Sequence, residues 1–187
     1  MKLNEVIETL VSQNTNLSEE EKKQQIKVLE ELVYQNKIPA DTLNIDSNAI
    51  EFIYDFASQL YRQGKYEQSI GLFTMLTGLD PLQYRFYMGL GSCYQKKQDW
   101  IEALKAFYTA YFINTKDPIP AYQIADCMLK LDSPNEAYIA LQMTIQRAGN
   151  NPIFSFIKNR AELMYDSLKE QLKSGEIEED VPKIRKI

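Results

Sequence analysis

LTGLDPLQYRFYMGLGSCYQKKQDWIEALKAF, residues 76 to 107, is the stretch whose reading decides the fold. An Asp80-Pro81 turn leads into three aromatics, Tyr84, Phe86 and Tyr87. Gly89 and Gly91 follow within what reads as a helix, and Trp100 then stands beside a capping Asp99. A glycine inside a helix costs about 1 kcal/mol relative to alanine. Small residues flanked by large ones therefore call for a reason in packing.

The reason is a repeat. Residues 50–83, 84–117 and 118–151 superpose as segments of 34 residues. Ile53, Tyr87 and Ala121 coincide, as do Phe56, Leu90 and Ile124, and then Ala57, Gly91 and Ala125. Leu60, Tyr94 and Met128 align, followed by Tyr66, Trp100 and Pro134. Ser69, Ala103 and Ala137 align, and Phe73, Phe107 and Leu141 complete the set. This period, with its large-small pair and its later small and aromatic positions, is the tetratricopeptide pattern. Each segment is expected to form two antiparallel helices, A and B. Their backbones approach most closely at the Ala57/Gly91/Ala125 and Ser69/Ala103/Ala137 positions, where only small residues fit. Gly91 is thus a packing residue, whereas Gly89 falls at a less restricted position. The signal is strong in the first two segments and weaker in the third, where Ala121 and Pro134 replace aromatics.

Helix starts agree with this division. Asp99 with Glu102, and Ser133-Pro134-Asn135-Glu136, read as N-caps with an acid at the third helical position. Asp117-Pro118 and Asn151-Pro152 read as two further starts. The expected fold is all-α: a superhelix of three helix-turn-helix repeats within residues 48–151, with N-terminal helices and a C-terminal capping helix.

Composition sets limits on function. The chain has 187 residues, a net charge of -5 and no histidine. Without histidine there are no Ser-His or Cys-His nucleophile pairs and few routes to a zinc site. GLGS at 89–92 lacks the Gly-Lys-Ser/Thr continuation of a phosphate loop. No enzyme activity, cofactor or metal is expected, and no residues remain outside the repeats for a catalytic domain. An acidic chain without a basic stripe argues against nucleic acid. Its short apolar runs argue against membrane insertion. The N-terminus, broken by Asn4, Glu5 and Glu8, does not read as a secretory signal. Cys93 and Cys127 are too few for a disulfide framework and fall at a small buried repeat position, which fits a reducing cytoplasm.

In the flanks, Leu3, Val6, Ile7, Leu10 and Val11 form one apolar stripe. Ser18-Glu19-Glu20-Glu21 is a capping box that opens a second helix, with Ile26, Leu29, Leu32 and Val33 inward. A linker with Pro39 follows at 37–47. These N-terminal helices (1–47) have two readings: a cap on the first repeat, or an arm for a homodimer. Residues 152–173 read as a helix covering the third repeat, with Ile153, Phe156, Ile157, Arg160, Leu163 and Met164 at helical spacing. The tail 174–187 reads as disordered.

In stacked repeats the A helices line a concave face. Their outward positions are Glu51, Tyr54, Ser58, Tyr61 and Arg62 in the first repeat. In the second they are Arg85, Met88, Ser92, Gln95 and Lys96, and in the third Ile119, Tyr122, Asp126, Leu129 and Lys130. An aromatic floor with polar groups at intervals suits an extended peptide. Few lysines and asparagines line it, so an internal segment is expected rather than a terminal carboxylate. Tyr54, Tyr61 and Tyr122 have a competing reading as core. Their phase favours the groove, because Phe56, Leu60, Ile124 and Met128 already occupy the positions that face helix B.

The stretch GKYEQSIGLFTMLTGLDPLQYRFYMGLGSCYQ (64–95) also resembles a particular family. In the LcrH/SycD-like class II chaperones of bacterial type III secretion systems, a GKYE-type turn precedes a Leu-Asp turn. An Arg-Phe-aromatic-x-Gly-Leu-Gly helix follows, with a Cys two residues on. Gly64–Glu67, Leu79-Asp80, Arg85–Gly91 and Cys93 match here, and PAYQIADCMLKLDSPNEA looks like the family's third repeat. The resemblance covers residues 45–150. It implies a non-catalytic chaperone in the bacterial cytoplasm. Such a chaperone keeps hydrophobic translocator proteins soluble before export and holds an extended client segment in the groove. The family's groove aromatics fall on Tyr54 and Tyr61, and Ser58 stands where an aromatic is common. The other reading of the repeat is a general protein–protein scaffold in another assembly.

Overall fold

The computed structural model describes residues 47–174 and, nearer the N-terminus, residues 8, 11–12, 18–24 and 26–27. Every regular element among the described residues is helical. The predicted linker and the tail after Ser174 lie outside the described residues, except that Ser47 opens the first repeat helix. Of the N-terminal apolar stripe, Val11 is described and is buried. The capping box at Ser18 forms as read. The Glu21 carboxylate accepts from the Ser18 amide at 2.8 Å, and the Ser18 hydroxyl accepts from the Glu21 amide at 3.4 Å.

The chain divides into two compact units, 1–93 and 94–187. The repeat of unit 1 is α1 (Ser47–Arg62) packed on α2 (Tyr66–Leu79), followed by α3 (Tyr84–Lys96). Its core joins Ile53, Ala57 and Leu60 of α1 to Leu72, Phe73 and Leu76 of α2 and to Phe86 and Cys93 of α3. The small-residue rule holds at atomic detail. Ala57 and Ser69 are fully buried, and the Ser69 hydroxyl donates to the Ala57 carbonyl at 2.8 Å. The Cys93 thiol in turn donates to that hydroxyl at 3.2 Å. A serine therefore fits where alanine is usual, because its polar atom is used on both sides.

Gly89 corrects the sequence expectation. A Cβ at this position would lie 2.3 Å from the Phe73 ring, so Gly89 is a site of enforced close approach rather than a permissive one. Spacing within the repeat does not show this, because the constraint comes from the ring of the preceding B helix.

Unit 2 contains α4 (Trp100–Ile113), α5 (Ile119–Lys130), α6 (Pro134–Ala148), a 3-10 turn (Pro152–Phe154) and α7 (Ser155–Ser174). Successive helices pack on one another, α4 on α5, α5 on α6 and α6 on α7. Ala103, Phe107, Ala125, Ala137 and Leu141 are fully buried, as the repeat requires. The Asp99 carboxylate accepts from the Glu102 amide at 3.3 Å, Asp117 from Ile119 at 2.8 Å and Asn151 from Ile153 at 3.1 Å. Ser133 departs from its reading. It stands at the N-cap, but its hydroxyl turns back to the Leu131 carbonyl at 3.4 Å and caps no amide.

The helix-to-helix turns repeat as well. Gly64, Gln98 and Asp132 stand 34 residues apart and all have positive φ, at 76°, 63° and 57°. Only Gly64 adopts that conformation without a Cβ penalty. Farther on, the Arg147 guanidinium donates to the carbonyls of Tyr111, Asn114 and Asp117 at 3.1, 3.2 and 3.4 Å. These are carbonyls at and just beyond the end of α4, which helix geometry leaves without partners.

The C-terminal helix covers α6, but not with the predicted stripe. Ile153, Phe156 and Leu163 are 81%, 75% and 74% exposed. The buried contacts come from Ala161 and Leu168, with Ile157, Met164 and Tyr165 half-buried. Tyr165 stacks on Tyr138 of α6 with ring centroids 4.4 Å apart, and the two hydroxyls lie 2.6 Å apart. The large apolar residues suggested one phase. A narrower stripe built on Ala161 wins because alanine lets the helix axes approach.

Candidate functional site

The A-helix residues singled out in the sequence fall into two groups, one in each unit. In unit 1, Tyr54, Ser58 and Tyr61 are half-buried on α1 and Arg62 is exposed beside them. Tyr54 rests its ring on the core, edge-on to Phe73 at 5.9 Å and tilted against Phe86 at 5.8 Å. Tyr61 packs against Tyr66 at 5.6 Å, and burial pushes its hydroxyl above the usual tyrosine range. The core and groove readings of these tyrosines are therefore not exclusive. One side of each ring belongs to the core, and the remainder faces outward.

Arg85, at the start of α3, lies with its guanidinium carbon 4.4 Å from the centre of the Tyr54 ring. It also forms an ion pair with Glu51, the residue at the same position one repeat earlier. Hydrogen bonding to Arg85 holds the Glu51 carboxyl below its ordinary range, and the same bond raises Arg85. The Nε–H of Arg85 is buried and has no acceptor among the described residues. Met88 and Ser92 are half-buried on the same helix. The Ser92 hydroxyl donates to the Met88 carbonyl at 2.8 Å, so its donor is used within the helix.

In unit 2, the Gln95 amide donates to Asp126 at 2.8 Å and to Gln123 at 3.0 Å. Lys96 and Lys130 are exposed, Leu129 is half-buried and Ile119 is 36% exposed. Tyr122 is met by the C-terminal helix. Its hydroxyl lies 3.4 Å from the Met164 sulfur, and the Arg160 guanidinium lies 5.9 Å from its ring centre. Sequence reasoning placed Arg160 and Met164 on the cap but did not join them to Tyr122. That contact depends on the phase of α7. Cys93 and Cys127 are fully buried, and burial pushes Cys127 up to about 12, so at neutral pH it is a packing thiol.

The chain is similar to known proteins in sequence and in structure. The tetratricopeptide repeat family profile matches residues 50–81. Low calcium response locus protein H of Yersinia pseudotuberculosis is 28% identical over 125 residues, covering 67% of this chain and 74% of its own. The Yersinia enterocolitica type III secretion chaperone SycD, in complex with a peptide of the translocator YopD, superposes with a TM-score of 0.66 at 28% identity. That match covers 69% of this chain and 98% of the other. A crystal structure of SycD as an alternative dimer matches equally well, with the same TM-score, identity and coverage. In repeat, sequence and fold this chain is similar to the LcrH/SycD-like tetratricopeptide proteins, among them the type III secretion chaperone SycD.

Proposed function

We propose that this protein is a non-catalytic chaperone that binds hydrophobic translocator proteins of a type III secretion system and keeps them soluble in the bacterial cytoplasm. It does so by holding an extended client segment against the faces lined by its A helices. The observation that carries the proposal is the α1 face with Arg85. Two half-buried tyrosines on rigid supports offer apolar area at little entropic cost, and the Arg85 guanidinium held beside the Tyr54 ring adds a fixed cation to that face. Ser58 between the two tyrosines makes room for a client side chain. Binding of this kind needs no nucleotide, because masking apolar surface is itself favourable. No described helix is long and apolar enough to cross a membrane, which suits a carrier of membrane-active clients. Homodimerisation is compatible with this role, since the related SycD is found as a dimer.

The test is co-expression with the hydrophobic proteins encoded beside the gene, followed by pull-down. Wild type is expected to retain a soluble partner, and Tyr54→Ala/Tyr61→Ala to lose it by about tenfold or more. Because Tyr54 also supports the core, Ser58→Arg serves as a second variant that fills the face without removing a core contact. Equal retention by wild type and both variants would place the client elsewhere. Retention of no hydrophobic partner by wild type would end the chaperone reading.

A further inference from the structure

We infer that unit 2 carries a second contact for the same client. It is a small apolar pocket beside α4 and α6 that takes one bulky aliphatic or aromatic side chain, with Glu136 at its rim pairing with a client lysine or arginine. This rests on the chaperone reading above and extends it.

The pocket has a cause in the sequence. Ala121 stands where the first and second repeats carry Ile53 and Tyr87. The side chain missing at this position leaves a cavity of about 160 Å³, bounded by Tyr108 and Tyr111 of α4 and by Ile139 and Met143 of α6. An apolar cavity of roughly 150 Å³ accommodates a benzene ring, so this one has the size of a single large side chain. The departure that weakens the third repeat is thus what opens the site.

Its walls are fixed where they need to be. The Arg147 guanidinium carbon lies 3.2 Å from the centre of the Tyr111 ring, and the same group donates to the Tyr111 carbonyl. The opposite wall includes Met143, whose flexible thioether adapts to different side chains. The mouth is apolar and open to solvent, with Ile139 55% exposed and Tyr108 38% exposed.

The rim carries one formal charge. Glu136 lines the pocket, and no lysine or arginine among the described residues pairs with it. An occupant that is apolar at its tip and cationic beside it completes the site. An amphipathic helix presents that pair at a spacing of three or four residues. A chaperone that held only one extended segment would leave the rest of a hydrophobic client uncovered. A second anchor on one molecule raises the effective concentration of each contact.

The experiment uses the full chain co-expressed with the hydrophobic protein encoded beside the gene. Two variants are made at exposed positions, Glu136→Lys and Ile139→p-benzoylphenylalanine, the latter a photocrosslinker. The expected result is a crosslink from position 139 to the partner and a loss of partner binding of about tenfold in Glu136→Lys. Reversing the charge of the crosslinked segment's basic residue is expected to restore binding. A crosslink to a second copy of this chain would overturn the inference, as would unchanged retention by Glu136→Lys. Either failure leaves the chaperone reading intact so long as wild type solubilises the partner. If wild type solubilises nothing, the chaperone reading falls and this inference falls with it.

Discussion

Gly89 and Gln98 show opposite uses of backbone freedom. At Gly89 the constraint is space. The Phe73 ring occupies the volume a Cβ would need, and Phe73 is itself 2% exposed, so it has little room to yield. Gly89→Ala is expected to destabilise the protein by about 1–3 kcal/mol, the usual range for overpacking. Gly78→Ala, where nothing lies within 4 Å, should be neutral or stabilising by up to about 1 kcal/mol. Urea unfolding of the two variants checks both signs, and equal effects would mean that helix propensity alone governs. At Gln98 the constraint is conformation. Its φ of 63° is left-handed, and its counterpart one repeat earlier is Gly64. Gln98→Gly should therefore stabilise by about 0.5–1 kcal/mol, despite the entropy glycine adds to the unfolded chain. A lower unfolding midpoint would show that the Gln98 side chain contributes more than its backbone costs.

Among the elements, the helix termini and the terminal helix separate what sequence shows from what only packing decides. The caps at Asp99, Asp117 and Asn151 were legible because each depends on one side chain and an amide two or three residues away. Ser133 looked the same in sequence but caps nothing, because its hydroxyl had a nearer acceptor in Leu131. Arg147 was not legible, since its three acceptors lie 30 to 36 residues earlier. Arg147→Ala leaves those carbonyls without their donor and exposes the Tyr111 ring, and is expected to cost about 2–4 kcal/mol in denaturant unfolding. Arg147→Lys, which keeps a cationic donor but loses the guanidinium plane stacked on Tyr111, should recover only part. The phase of α7 was misread from its largest residues. Leu163→Ser should change stability by less than about 0.5 kcal/mol, while Leu168→Ser, at a position 7% exposed, should cost about 2–4 kcal/mol. The reverse order would restore the stripe expected from sequence.

For the whole molecule, the sequence carried the fold class because a 34-residue period repeats one packing solution, and each copy checks the others. It carried the residues of the candidate client face less completely. Tyr54 and Tyr61 were visible from their phase, but their double role, half core and half surface, depends on Phe73, Phe86 and Tyr66 beneath them. The pocket beside α6 was visible only as a defect in the third repeat, since an absent side chain announces no chemistry. The proposed function has a stoichiometric consequence. A client held by binding alone is protected by mass action, so protection is limited by the number of chaperone molecules and the affinity of each. Light scattering of a denatured hydrophobic client diluted into buffer should fall in proportion to added chaperone. It should level off at a fixed molar ratio and be unaffected by ATP. Protection at far below stoichiometric amounts, or a dependence on ATP, would mean turnover, which a sequestering chaperone does not perform.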